Sequence, residues 1–261
     1  MAERVLVTGA SRGIGRAAAR LLKDQGYVVL GTSRNPGRVA DPVEGVAYLP
    51  LDLRDPASIA DLARAAGPVD ILIANAGESQ IWPAADIPLD RLRGLYEANL
   101  FGTVALIQGL LPGMLERRSG LIIAIGSMTG KFSVPFQSGY SSSKAALAAY
   151  TWSLRNEIRP FGLDAVVLEP GHIDTGIMPD IVTPEGSRFA DPMARVVRRR
   201  QELISGGSDA SVVARKALKI IRARRPRPFY AAGGKAPLMV FARRLLPNKL
   251  MERAIRKMYG L

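Results

Sequence analysis

Apolar residues occur along this chain in two patterns. Short unbroken runs at 5–8 (VLVT), 27–32 (YVVLGT), 46–49 (VAYL), 69–74 (VDILIA), 121–125 (LIIAI) and 163–168 (LDAVVL) read as strands buried on both faces. Between them, apolar positions return every three or four residues at 14–25, 56–66, 89–111 and 140–158, which predicts helices. Gly26 ends the first helix, and Pro112 breaks or caps the third. Strands alternating with helices predict an α/β fold, a doubly wound parallel sheet with helices on both faces. No internal repeat or linker divides residues 1–261, so a single domain is expected. Residues 176–194 hold three prolines and little periodicity. They read as a substrate loop or lid over the carboxyl ends of the strands, where such folds bind ligands, or as a plain surface excursion.

Composition narrows the function. With 261 residues and 48% hydrophobic content, the chain can bury a sizeable core. It has no cysteine, which excludes disulfides and thiolate chemistry, and its one histidine, His172, argues against a histidine-based metal site. MAERVLVTGA lacks the pattern of a signal peptide, and no run approaches eighteen uninterrupted apolar residues. The expected location is cytoplasmic, with membrane association left open. Charge is unevenly spread: residues 1–194 hold 18 Lys and Arg against 20 Asp and Glu, whereas 195–261 hold 18 against 3. A uniform nucleic-acid-binding domain would not divide this way, and no recognition fold accompanies the run RARRPRP at 222–228. The last quarter faces anions or is a solvated basic surface.

TGASRGIG follows the first predicted strand and opens the first predicted helix, placing Thr8, Gly9, Ser11, Arg12, Gly13, Ile14 and Gly15 in one turn. Glycine permits positive φ and close backbone approach, and a helix N-terminus offers free N–H groups to a pyrophosphate. The spacing GxxxGxG is not GxGxxG, so the dinucleotide reading rests on the strand–turn–helix context. The alternative is a glycine-rich turn that only permits tight packing. The second strand ends in Gly31-Thr32-Ser33-Arg34, without the acid that would bond a ribose 2′-hydroxyl. Arg34, with Arg12 opposite, can instead fork to a 2′-phosphate, so NADP(H) is the expected cofactor. Asp52, followed by Leu53, is placed to accept a bond from the adenine amino group. Asn75-Ala76-Gly77 could line the floor under the adenosine ribose. Either the acid or the amide could instead cap the next helix.

GYSSSK (139–144) looks like linker, yet Tyr140 lies four residues before Lys144 and thirteen after Ser127. TGASRGIG, Asp52, NAG at 75–77, Asn99, Ser127, Tyr140-x-x-x-Lys144 and Pro170-Gly171, in this order, resemble the short-chain dehydrogenase/reductase family. The similarity spans residues 4–175 and is greatest to the hydroxysteroid and retinol dehydrogenase-like group. It implies one Rossmann-type domain carrying both cofactor and chemistry. Residues four apart share a helix face, and an ammonium favours the phenolate form of a nearby tyrosine. Tyr140 would then protonate a carbonyl oxygen in reduction or take the alcohol proton in oxidation. By resemblance, Ser127 holds the substrate oxygen and Lys144 also grips the nicotinamide ribose. Asn99 supports a water-borne proton relay to that lysine, or is a buried amide bonding backbone at a helix kink. Pro170, Gly171, Ile173 and Thr175 would lie beside the nicotinamide, the Ile173 backbone and Thr175 binding its carboxamide. His172 is expected to be structural or substrate-facing. One departure is Ala74, where the family usually carries a first asparagine before Asn75.

Met128, Thr129, Phe132, Ile81, Trp82, Ile177, Met178 and Phe189 are candidate pocket walls, so a hydrophobic ketone or aldehyde and its alcohol are the expected substrates. A carrier-bound 3-oxoacyl thioester, or NADP binding without turnover, are the competing readings. In the basic extension 235–261, Leu238, Met239, Phe241, Leu245 and Leu246 mix with Arg243 and Arg244, and Leu250, Ile255 and Met258 recur near helical spacing. This segment could dock on its own domain, cover the pocket, meet a second subunit or lie on an anionic membrane. By resemblance, a homodimer or homotetramer forms through residues 99–115 and 140–158.

Overall fold

The computed structural model describes residues 2–176, 179–234 and 236–261. Ile177 and Met178, expected in the pocket wall, lie outside the described residues, as do Lys235 and the side chain of Arg244. In chain order the first elements are β1 (Arg4–Val7), α1 (Gly13–Asp24), β2 (Val28–Ser33), β3 (Ala47–Pro50), α2 (Pro56–Ala65) and β4 (Ile71–Ala74). Next come the short β5 (Gln80–Ile81), α3 (Leu89–Tyr96), α4 (Gly102–Arg117), β6 (Gly120–Ile125), α5 (Ser138–Ile158) and β7 (Leu163–Pro170). The last are β8 (Ile173–Asp174), β9 (Asp180–Ile181), α6 (Ala190–Ser205), β10 (Ser208–Asp209), α7 (Ser211–Ile221), β11 (Phe229–Ala232), α8 (Ala236–Leu245) and α9 (Asn248–Met258).

Among the described residues, seven strands form one parallel sheet in the order β11-β7-β6-β4-β1-β2-β3. The chain winds outward from β1 to β3, then restarts at β4 on the other side of β1. That reversal opens a crevice above the carboxyl ends of β1 and β4. Strand side chains alternate between faces. Val5 and Val7, Ile71 and Ile73, Ile123 and Ile125 point to one face and pack on Ala18, Ala19 and Leu22 of α1 and Val213, Ala217 and Ile220 of α7. Leu6, Leu72 and Ile122 point to the other, under Leu62 of α2, Leu106 and Ile107 of α4 and Leu154 of α5. Because both faces are covered, the strands read as unbroken apolar runs.

Two features depart from the expected pattern. Residues 89–117 form one continuous helical run through a π-helical turn at Glu97–Phe101, and Pro112 lies inside α4. Pro112 removes the acceptor role of the carbonyl four residues back, but Gln108 and Pro112 both face solvent, where water can satisfy it. This run is long and apolar enough to cross a membrane by length and composition, yet Leu106, Ile107, Leu110 and Met114 bury it against the sheet. The second departure lies in 176–194, expected as a loop or lid, which contains β9 and the first residues of α6. Two-residue bridges pin it down: Gln80 pairs with Asp180 and Ile81 with Ile181.

Gly102 opens α4 where that helix crosses the turn after β3. A Cβ there would lie 1.9 Å from the Leu53 carbonyl oxygen, so only glycine fits without a backbone shift. Gly102→Ala should cost about 1–3 kcal/mol and lower the melting temperature by roughly 3–10 °C. Gly37→Ala, where nothing lies within 4 Å, should leave it unchanged. Equal melting of the two variants would contradict the assigned crowding.

Candidate active site

The crevice begins with a knot between β1 and β4. The Thr8 hydroxyl accepts hydrogen bonds from the backbone N–H of Asn75 and of Ala76, each 2.9 Å. The Asn75 amide donates to the carbonyls of Thr8 at 2.9 Å and Gly9 at 3.3 Å. Asn75 therefore ties down the glycine turn rather than capping a helix. Gly9 has φ +66°, and its backbone N–H donates to the Thr32 hydroxyl at 3.1 Å. A Cβ on Gly15 would stand 2.2 Å from the Gly9 carbonyl oxygen, so α1 starts as close to the turn as glycine allows. Arg12 precedes α1 in extended conformation without a side-chain cap, and no acid sits in the first turn. The first N–H groups of α1 thus remain directed at the crevice, a fit for a pyrophosphate.

One cavity of about 520 Å³ runs from this turn to the substrate end. Gly9, Ser11, Arg12, Ile14, Arg34, Asp52, Leu53, Asn75, Ala76 and Gly77 line it, as do Ser127, Tyr140, Lys144, Pro170, Gly171, Ile173 and Thr175. Thr8, Gly13, Gly15 and Asn99 shape the cavity from behind. Among the described residues, neither the Arg12 nor the Arg34 guanidinium has a hydrogen-bond or ion-pair partner, which suits both to a 2′-phosphate. Asp52 accepts from the Arg54 backbone N–H at 2.9 Å, while Asp55 caps α2 through the N–H of Ala57. Asp52 is thus not the helix cap and keeps its place at the cavity wall.

At the far end, Ser127 follows β6 and begins the 3₁₀ turn Met128–Gly130. Its oxygen accepts from the Thr129 hydroxyl at 2.9 Å and from the Thr129 N–H at 3.2 Å. Gly130 lets this turn lie against α5: a Cβ there would be 3.0 Å from the Ala145 nitrogen. The turn therefore faces the first residues of α5, and Ser127 and Tyr140 line the same cavity. Lys144, one turn on, is 5% exposed, and its Nζ donates to the Ile125 carbonyl at 3.0 Å. GYSSSK is the start of a helix, not linker. Ser141 and Ser143 are buried, the latter donating to the Tyr140 carbonyl at 2.9 Å.

Asn99 is fully buried in the π-helical turn. It accepts from the Glu78 N–H at 2.7 Å and donates to the Glu78 carbonyl at 2.9 Å and the Ser143 hydroxyl at 3.1 Å. It bonds backbone at a helix irregularity, the second of the two expected roles. It also approaches Lys144, because a Cβ on Gly77 would meet Asn99 Oδ1 at 2.8 Å and Lys144 Nζ at 3.4 Å. Burial pushes the Tyr140 phenol above its ordinary value, while the Ser127 hydrogen bond and then Arg200 pull it down. Lys144 is not among the groups that shift Tyr140. Burial brings Lys144 itself down to about 8.

The substrate end differs from expectation. Met128, Thr129 and Phe132 line the cavity. Ile81 and Trp82 are buried in the core instead, and Phe189 packs edge-on against Phe136 at 6.4 Å. Further wall comes from α6, α8, α9 and the residue after α9 through Arg200, Ile204, Met239, Ile255, Met258 and Tyr259. His172 Nε2 lies 3.2 Å from the Tyr259 hydroxyl, and burial, then Arg200, holds its pKa down. The helical spacing of Ile255 and Met258 signalled an amphipathic element, but nothing in it told which surface it covers.

The pattern described as short chain dehydrogenase matches residues 3–186. The chain is 38% identical over 200 residues to mouse dehydrogenase/reductase SDR family member 7B, covering 71% of this chain and 62% of that one. It therefore spans less than two thirds of that relative's length. It is 30% identical over 268 residues to 3-ketodihydrosphingosine reductase of Bacteroides thetaiotaomicron, covering 98% of each. A crystal structure of a short-chain dehydrogenase from Streptomyces avermitilis superposes with a TM-score of 0.84 at 30% identity, covering 100% of this chain and 96% of that one.

Lys144 makes stability depend on pH in a predictable sense. Its folded value of about 8 lies below the ordinary 10.5, so between those two pH values the unfolded chain holds more protons. This contribution to stability is lowest below pH 8, where the fold buries a charged ammonium, and rises towards pH 10.5. Urea unfolding of the wild type and of Lys144→Met should show the difference moving in favour of the wild type from pH 8 to pH 10. A difference that stays flat would remove this titration from the site.

Proposed function

Since the chain belongs to the short-chain dehydrogenase/reductase family, NADP(H)-dependent oxidoreductases acting on CH–OH groups, we propose that it interconverts a hydrophobic ketone or aldehyde and its alcohol, with Tyr140 as acid and base. The observation carrying this reading is that Ser127, Tyr140 and Lys144 line the same cavity as the Arg12 and Arg34 guanidiniums. Bound NADPH supplies a hydride to the carbonyl carbon. Arg12 and Arg34 hold its 2′-phosphate, the start of α1 its pyrophosphate, and the segment of Pro170, Gly171, Ile173 and Thr175 its nicotinamide end. Ser127 donates to the carbonyl oxygen and Tyr140 delivers the proton as that oxygen becomes a hydroxyl.

Burial keeps the Tyr140 phenol in the protonated form that reduction uses. A phenol above 10 is protonated at neutral pH and ready to donate. Lys144, near 8, lies one helical turn away and is suited to restoring that proton. Asn99 supports the arrangement by holding the Glu78 backbone and Ser143, which fixes the wall at Gly77. The names of relatives that reduce ketones, 3-ketodihydrosphingosine reductase and ketoacyl reductase HetN, agree with this direction. The basic wall of α6 and α9 favours a second reading, reduction of a 3-oxoacyl thioester delivered by an acidic carrier. The proposal extends to a homodimer or homotetramer through α4 and α5, where Phe101 and Trp152 are about half exposed. It also includes peripheral membrane contact through the outer side of α8, where Leu238, Phe241 and Leu245 are exposed.

Tyr140→Phe should lower kcat by about 10²–10⁴ for every carbonyl while leaving NADPH affinity within about twofold. Substantial turnover by the variant, followed at 340 nm with an apolar ketone and with an acetoacetyl thioester, would take Tyr140 out of the acid role. Arg34→Asp should move the NADPH/NADH ratio of kcat/KM towards NADH by about tenfold or more. An unchanged ratio would sink the phosphate assignment.

A further inference from the structure

We propose that Arg200 is the receptor for an anionic group on the substrate, so that the pocket takes a keto amphiphile with an acidic headgroup beside an apolar tail. This deepens the reductase reading and rests on it. Arg200 projects from α6 into the cavity that holds Tyr140, His172 and Tyr259. Among the described residues it has no ion-pair or hydrogen-bond partner. Its neighbour Arg199, by contrast, pairs with Glu202 and donates to the Met258 carbonyl at 3.1 Å. The groups whose charge bears on Arg200 are two phenols, Tyr259 and Tyr140, and burial pushes both up, so neither offers a counter-charge at neutral pH.

The acids around the cavity do not serve Arg200. Glu78 pairs with Arg54, Asp52 is held at the glycine-turn end, and Asp180 is exposed on β9. A partly buried guanidinium without an anion is an unfavourable arrangement in the free protein, and a carboxylate or phosphate relieves it through two parallel hydrogen bonds. Arg12 and Arg34 stand at the cofactor end of the cavity, so the Arg200 locus is separate from them. Met128, Phe132, Met239, Ile255 and Met258 give the same cavity an apolar lining. The guanidinium suits a charged headgroup and the apolar lining a hydrocarbon chain, in the cavity that also holds Ser127 and Tyr140.

The test compares matched pairs: 2-oxotridecylphosphonate with its dimethyl ester, and 4-oxotetradecanoate with its methyl ester. The wild type with NADPH should favour at least one acid over its ester by about tenfold or more in kcat/KM, and the pair that shows it tells phosphate from carboxylate recognition. Arg200→Gln should abolish the preference by raising KM for the acid while the ester is unaffected, and Arg200→Lys should keep part of it. An equal fall for acid and ester, with a shifted pH profile, would make Arg200 a tuner of Tyr140 and overturn the subsite. Binding of the unreactive dodecylphosphonate and of dodecanoate to the NADP⁺-loaded protein gives a readout without turnover. Binding of either that Arg200→Gln loses supports the subsite even if no ketone reacts, which would count against the reductase reading alone. Binding of neither, or equal binding by both proteins, overturns the proposal. Melting curves of both variants confirm that they fold.

Discussion

A single ammonium organises the chemistry of this molecule. Lys144 is buried near the start of a long helix, where a charge without a partner would be costly. It finds the Ile125 carbonyl at the end of a central strand. That contact sets the depth at which α5 meets the sheet, while Gly130 lets the intervening turn settle against the helix backbone. With strand end and helix start fixed to each other, Ser127 and Tyr140 meet although thirteen residues separate them. Burial is the largest influence on that tyrosine.

The crevice is built by two mechanisms of different rigidity. Its cofactor end is made from backbone: the Thr8–Asn75 hydrogen bonds, a left-handed Gly9 and a Gly15 with no room for a side chain. Its substrate end is made from side chains on α6, α8 and α9, elements that come after the last residues matched by the family pattern. The first end tolerates little change without losing the turn. The second can alter its lining while the sheet stays as it is, and the chain's individual character is concentrated there.

The sequence was legible where local pattern and tertiary role coincide. Strands buried on both faces announce themselves as apolar runs, and a parallel sheet covered on both sides followed from their alternation with helices, while the Rossmann-type domain came from the resemblance. Tyr140 and Lys144 were readable because four-residue spacing has one meaning on a helix. Pro112 misled because its cost depends on whether a freed carbonyl reaches water, which is a property of burial and not of the residue. α6 was missed because its apolar stripe is thin beneath many arginines: it buries only Met193 and Val196 fully. Arg200 was invisible for the same reason. Among four arginines within six residues, nothing local marks the one that turns inward. Trp82 and Phe189 were assigned to the pocket because large apolar groups suit core and cavity equally.

The basic wall has a kinetic consequence. The cavity mouth is bordered by the part of the chain in which Lys and Arg outnumber Asp and Glu six to one. Such a border acts on a polyanionic ligand before any contact forms, drawing it in along the field and orienting its approach. At physiological ionic strength that reach shrinks to about 8 Å, and it lengthens as salt is diluted. How fast such a ligand is captured is thus governed by the surrounding electrolyte, independently of how tightly the cavity holds it afterwards.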